Sequence, residues 1–169
     1  ENSSGKNVLN LFAYTGSFSV YAAAGGASST TTVDLSNVYL KWAQENMELN
    51  HFTSSSHSYI SSDVFKFLDD AIRKNEKWDL IILDPPTFSN SRKMDKKLDI
   101  QKDHVDLIHK SLSLLTKNGF LLFSTNYTDF KIDLKVREKG FITNITDETI
   151  PEDFKDSRIH LCWHIEKRK

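Results

Sequence analysis

The stretch Trp78-Asp79-Leu80-Ile81-Ile82-Leu83-Asp84-Pro85-Pro86-Thr87-Phe88 passes from an almost continuous apolar run to a carboxylate and two prolines. Such a run suits a central strand covered on both faces, which shows little of the alternation of a half-exposed one. Consecutive prolines cannot donate to a sheet ladder, so the strand stops there and the backbone beyond it is fixed. Strands covered on both faces belong mainly to parallel sheets whose crossovers are helices.

The same grammar extends outward. Upstream, Val8-Leu9-Asn10-Leu11-Phe12 reads as a strand ending at Tyr14-Thr15-Gly16, with a helix predicted from Ser17. Thr30-Thr31-Thr32-Val33 is a second strand closed by Asp34, and Ser36 can cap a helix whose Leu40, Ala43 and Met47 share one stripe. A third strand is predicted over 57–61, followed by a helix with Phe65, Leu68 and Ile72 inward. Downstream, residues 87–102 are too charged for a core and too many for an ordinary βα connection, a place where loops carry function. Val105, Ile108, Leu112 and Leu115 mark a helix that Asn118-Gly119 ends, and Phe120-Leu121-Leu122-Phe123 is a fifth strand. The tail offers a short helix near 132–139, a strand from Phe141 and a last strand over 159–165. Alternating strands and helices predict an α/β domain.

Composition agrees with one packed domain: 169 residues, 38% apolar, with six Gly and three Pro. Twenty-two Lys plus Arg face 23 Asp plus Glu, a net charge of −1, so any polyanion must be held by a local patch. The single cysteine, Cys162, cannot form an internal disulfide, which points to a reducing, cytoplasmic compartment. No apolar run is long enough to cross a bilayer, so no membrane partner is expected. Val8 opens the first strand soon after a Glu1 start without Met, which suggests that residues 1–169 are one catalytic domain taken from a longer protein.

In an open α/β sheet, ligands bind beyond the carboxyl ends of the strands where strand order reverses. Tyr14-Thr15-Gly16, Asp34 and Asp84-Pro85-Pro86 should therefore converge. Asp34 lies 18 residues beyond Gly16, near the offset at which an acid accepts ribose hydroxyls; it could equally be a helix cap or turn residue. Dinucleotide binding asks for G-x-G-x-x-G, but only Gly16 occupies this loop, and Gly25 and Gly26 come too late. A cofactor with a ribose and no phosphate, such as S-adenosyl-L-methionine, asks less. Asp63 could meet an adenine edge or simply cap the next helix. Asp84 offers a carboxylate, Pro85 and Pro86 a rigid backbone with free carbonyls, and Phe88 a stacking face, a set able to hold a planar base; Pro-Pro could also merely terminate the strand. Arg92, Lys93, Lys96, Lys97 and Lys102 form a basic cluster suited to phosphates or to plain solvation. His160, Cys162 and His164 alternate along the last strand, where packing is a better reading than a metal site.

Several separated motifs together resemble a known family. Val8 through Ser17, Ser29-Thr30-Thr31-Thr32-Val33-Asp34-Leu35-Ser36 with Tyr39-Leu40 and Trp42-Ala43-Gln44-Glu45-Asn46, and Leu83-Asp84-Pro85-Pro86-Thr87-Phe88-Ser89-Asn90-Ser91 resemble S-adenosylmethionine-dependent 23S ribosomal RNA guanine methyltransferases, in particular the C-terminal, guanine-N7 domain of the bifunctional large-subunit enzyme. Asp99-Ile100-Gln101-Lys102-Asp103-His104 and Arg158-Ile159-His160-Leu161-Cys162-Trp163 share the likeness. It implies a Rossmann-like class I methyltransferase: a mainly parallel seven-stranded sheet with helices on both faces and an antiparallel C-terminal strand. It implies S-adenosyl-L-methionine held by Asn10, Phe12, Tyr14, Thr15, Gly16, Asp34, Leu35, Ser36, Asp63, Val64 and Asp84, catalysis by Asp84, Pro85, Pro86 and Phe88, and 23S ribosomal RNA of the large-subunit precursor as partner. Where the family tends to have Asn-Asn and basic residues after the fifth strand, this chain reads Thr125-Asn126-Tyr127-Thr128-Asp129, which weakens an RNA contact there.

Chemistry narrows the target. Methylation at cytosine C5 needs a thiolate that adds to the ring. No cysteine stands at 124–126 or just after Pro86, and Cys162 is expected to lie far from the Asp84 turn. Guanine N7 already carries an in-plane lone pair and needs mainly orientation. Guanine N2, cytosine C5 and a non-catalytic cofactor- or RNA-binding module are the alternatives.

Overall fold

A computed structural model describes residues 3–89, 97–150 and 159–168. Its elements are β1 (Asn7–Leu11), α1 (Ser17–Ala24), β2 (Ser29–Asp34), α2 (Asn37–Leu49), β3 (His57–Ser61), α3 (Val64–Arg73), β4 (Trp78–Leu83), the short pair β5 (Phe88–Ser89) and β6 (Leu98–Asp99), α4 (Ile100–Ser113), β7 (Leu115–Thr125), β8 (Gly140–Asn144) and β9 (Leu161–Lys167). Single 3-10 turns occupy Leu134–Glu138 and Thr146–Glu148.

Seven strands form one sheet in the order β3-β2-β1-β4-β7-β9-β8. The first five positions pair in parallel, and β9 runs antiparallel between β7 and β8. Strand order reverses between β1 and β4, the switch point at which such sheets bind ligands. Leu9, Leu11, Ile81 and Leu83 are fully buried in the cluster that holds Phe67, Leu68, Leu107 and Ile108 of α3 and α4. Val8, Leu80 and Ile82 turn the other way, onto Ala22 of α1. Helices thus cover both faces, and each such aliphatic side chain contributes about 1.5–3 kcal/mol on burial.

Three local expectations change. In α3, Val64, Phe67, Leu68 and Ala71 are the buried set, while Ile72 is 39% exposed and Phe65 only partly covered. Asp63 is the N-cap and the helix runs from Val64, with its inward stripe falling one residue earlier than the Phe65 and Ile72 positions suggest. Helix α4 starts already at Ile100 and ends at Ser113, so Leu115 belongs to β7. Asn118-Gly119 lies inside that strand, at an irregularity where the register with β4 shifts between Trp78 and Leu80. A Cβ on Gly119 would stand 3.0 Å from the carbonyl oxygens of Trp78 and Asp79, so the bulge itself calls for glycine. The loop expected over 87–102 also contains structure, the β5–β6 pair and the first turn of α4.

Candidate active site

Sheet register brings the two predicted carboxylates together. Leu11 pairs with Val33 on one side and Leu83 on the other, so Asp34 and Asp84 each stand one residue beyond the end of β1. With strands about 4.8 Å apart, they flank one gap of roughly 10 Å. Leu83 also pairs with Phe123, and Ser124 with Cys162, which sets Asp84, Ser124 and Cys162 along the same edge.

A cavity of about 920 Å³ fills that edge, at the upper end of the roughly 300–1,000 Å³ common for small-molecule sites. At the β1–β2 end its wall is Phe12, Tyr14, Phe18, Asp34, Leu35, Ser36, Tyr39, Asp63 and Val64. The β1–α1 loop there is tight: Phe12 and Tyr14 sit at φ 56° and 49°, and Gly16 at φ 75°. A Cβ on Gly16 would come within 2.6 Å of the Ala43 Cβ, so α1 and α2 cross at this glycine. Asp34 ties the loop down: its Oδ2 accepts from the Tyr14 N–H and its Oδ1 from the Ser36 N–H, both at 2.9 Å. Each oxygen keeps a further lone pair for a ligand. Tyr14 and Tyr39 pack edge to face with ring centroids 4.5 Å apart, an aromatic wall beside that carboxylate. Asp63 caps α3 through Oδ1, as one of its two expected roles requires, and it also lines the cavity.

The other end is lined by Ile82, Asp84, Pro85, Pro86, Ser89, Leu122, Ser124, Asn126, Ile145, Thr149, His160 and Cys162. Asp84 accepts from the Ser124 hydroxyl at 2.7 Å. Burial pushes its carboxyl above the usual carboxylate range, against the Ser124 hydrogen bond and the nearby His160. Thr87 donates to Asn126 Oδ1 at 3.0 Å, which links the turn after β4 to the end of β7.

Of the predicted residues, Phe12, Tyr14, Asp34, Leu35, Ser36, Asp63, Val64, Asp84, Pro85 and Pro86 line one cavity. Asn10, Thr15, Gly16 and Phe88 do not. Asn10 is buried beneath α1, where its Nδ2 donates to Ser19 Oγ at 3.0 Å. Thr15 and Gly16 shape the loop through their backbone, the Thr15 carbonyl being held by Asn46 Nδ2 at 2.9 Å. Phe88 is 65% exposed and leans toward Tyr127, with centroids 6.5 Å apart.

The expectation that Cys162 is remote fails. An antiparallel strand enters the sheet where its parallel neighbours end, so the start of β9 meets the site. Burial and the Asp84 charge nevertheless raise this thiol to about 11, which keeps it protonated at neutral pH. His160, just before β9, contacts Thr149 Oγ1 at 2.7 Å, while His164 packs on Phe120, centroids 4.7 Å apart. Among the described residues no three His, Cys, Asp or Glu side chains group as metal ligands. Of the basic cluster, Arg92, Lys93 and Lys96 lie outside the described residues, Lys97 is exposed, and Lys102 is paired with Asp99 at 2.9 Å.

The fold and the site together define a Rossmann-like methyltransferase. The chain belongs to the S-adenosylmethionine-dependent methyltransferase family, whose model matches residues 1–157. It is 49% identical over 165 residues to ribosomal RNA large subunit methyltransferase K of Neisseria meningitidis serogroup B, covering 98% of this chain and 47% of that protein. It is 50% identical over 166 residues to ribosomal RNA large subunit methyltransferase K/L of Hahella chejuensis, covering 98% of this chain and 23% of that protein. The chain therefore spans half or less of these curated relatives. Among solved structures, SMU.776, described as a methyltransferase and complexed with SAH (S-adenosylhomocysteine), superposes with a TM-score of 0.80 at 31% identity, covering 98% of this chain and 46% of that one.

Proposed function

We propose that this chain methylates N7 of a guanine in 23S ribosomal RNA with S-adenosyl-L-methionine as donor. One observation carries the reading: Asp34 and Asp84 flank the end of β1 and line a single cavity with the rigid Pro85–Pro86 turn. When bound, S-adenosylmethionine supplies an electrophilic methyl on a cationic sulfur. The donor set fits it, because Asp34 has lone pairs left for two ribose hydroxyls, Asp63 has an oxygen free of the α3 cap, and no phosphate cradle is needed. Leu35, Ser36 and Val64 close that half through their backbone and apolar contact.

The acceptor half favours nitrogen. A thiol held at about 11 supplies no thiolate for addition to a pyrimidine. Guanine N7 needs no proton removed, so the work left to the protein is to align the lone pair with the methyl and to exclude water. Asp84 and the Pro85 carbonyl would take the base's N–H groups, and the carboxylate would steady the positive charge that grows on the ring. The names of the K and K/L relatives support large-subunit ribosomal RNA as substrate. Arg92, Lys93, Lys96 and Lys97 then contact RNA phosphates, residues 1–169 act as the methyltransferase domain of a longer protein, and the reaction belongs in the cytoplasm. Among the described residues no helix is long and apolar enough to cross a membrane.

Nucleoside mass spectrometry of 23S RNA tests this. Deleting the gene should remove one 7-methylguanosine, which the wild type restores and an Asp84→Ala variant does not. Loss of an N2-methylguanosine or a 5-methylcytidine instead would overturn the N7 assignment.

A further inference from the structure

His160 lies at the end of the cavity away from Asp34, on the far side of Asp84 and β7. Its Nε2 is 2.7 Å from Thr149 Oγ1. The Thr149 hydroxyl has one hydrogen, and it donates that hydrogen to the Thr146 carbonyl at 2.9 Å. With that hydrogen on the carbonyl, the contact with His160 runs from the ring, Nε2–H to Oγ1, in the tautomer protonated at Nε2. In that tautomer Nδ1 is an acceptor, with no hydrogen bond to another described residue. Asp84 and His160 both line the acceptor half, braced by Ser124 and Thr149 respectively.

Guanine is the base whose Watson–Crick edge offers two adjacent donors, N1–H and the 2-amino group. Its 2-amino group is also the group farthest from N7. With N7 turned toward the cofactor side at β1 and β2, N1–H falls near Asp84 and the 2-amino group falls farther out, toward β9. We infer that His160 is a specificity-determining residue that accepts a hydrogen bond from the 2-amino group of the target guanine, beside Asp84 on N1–H. The inference rests on the function proposed above. An adenine presents an acceptor at N1 and no amino group at C2, so the pair rejects it.

The test uses the full-length protein and two RNAs that differ at one position, guanosine or inosine, the latter lacking only the 2-amino group. Wild-type kcat/KM should fall about 10- to 100-fold on the inosine RNA, the scale of a lost hydrogen bond in a desolvated site. His160→Ala should lose a comparable factor on guanosine and almost nothing more on inosine. His160→Gln, which keeps an acceptor oxygen, should recover part of the guanosine rate. Calorimetry with S-adenosylhomocysteine should show unchanged affinity in both variants. If His160→Ala does not fold, the wild-type inosine ratio and the His160→Gln ratio decide the matter. Equal losses on both RNAs, or an indifferent wild type, would overturn the role of His160 while leaving guanine methylation standing. Failure of the wild type to methylate the guanosine RNA would overturn both.

Discussion

Asp84 is held under two opposing demands, a buried place on the cavity wall and, under the proposed N7 methylation, a charge useful to a cationic product. Burial raises its carboxyl above 3.8, so between that value and the folded one the unfolded chain binds fewer protons than the native chain. Stability therefore falls as pH rises through this window, and the penalty is complete above it. Asp84→Asn keeps an acceptor for the Ser124 hydroxyl and carries no charge. The variant should melt higher than the wild type at pH 8, with an advantage that shrinks as pH falls toward 3.8, while methyl transfer drops about 100-fold or more. A melting temperature lower at every pH would contradict this account of the carboxylate. Asp34 makes the converse case, because its two oxygens hold the Tyr14 and Ser36 N–H groups and form the cavity wall. Asp34→Ala should weaken S-adenosylhomocysteine binding about 10- to 100-fold by calorimetry, the range of charge-assisted hydrogen bonds, and Asp34→Asn by less.

Two junctions between elements are open to the same kind of argument. Gly16 lets α1 approach α2, and Gly16→Ala meets both the Ala43 Cβ and a φ of 75°. The substitution should destabilise the fold by about 2–4 kcal/mol in urea titration, and adding Ala43→Gly should return only the steric share, since the backbone strain remains. His104 joins α4 to the segment after β7: its Nδ1 meets the Ile100 and Gln101 carbonyls, and its Nε2 accepts from the Asp133 N–H at 2.9 Å. Burial lowers its affinity for protons, so the unfolded chain takes up protons first as pH drops below 6.5. The stability His104 contributes is complete above pH 6.5 and is lost as pH falls through its lowered value; the difference between wild type and His104→Ala should narrow from pH 8 to pH 5. Legibility follows the same divide between local and distant causes. The strands over 57–61 and 78–83, and the acids that close β2 and β4, were readable because apolar runs and strand ends are local signals. The acceptor half was not. Ser124 reaches Asp84 through the parallel β4–β7 register, whereas His160 and Cys162 join the cavity only because β9 inserts antiparallel between β7 and β8, and no periodicity in the sequence announces that pairing. Phe18 and Tyr39 were not singled out as site residues, although both line the cavity and are partly exposed.

At the scale of the whole molecule, charge sets how tightly the proposed RNA substrate can be held. With 22 basic against 23 acidic residues, the domain has no long-range field toward a polyanion. Several of its cations are also spent internally: Lys102 on Asp99, Lys110 on Asp69 and Asp106, and Lys77 on the Ser113 carbonyl. In the sequence, Arg92, Lys93, Lys96 and Lys97 form a basic run that could meet about three or four phosphates. Each phosphate contact steepens the logarithmic salt dependence of binding by about 0.7 to 0.9. Filter binding of this chain to a 23S fragment between 50 and 200 mM salt should therefore give a slope no steeper than about −3. The Neisseria relative, about half of which this chain matches, should give a steeper slope if the rest of its length carries recognition. A slope near −6 from this chain alone would mean that the domain grips RNA over a face its charge distribution does not reveal, and methylation of protein-free RNA by the isolated domain would then be efficient where weak turnover is expected.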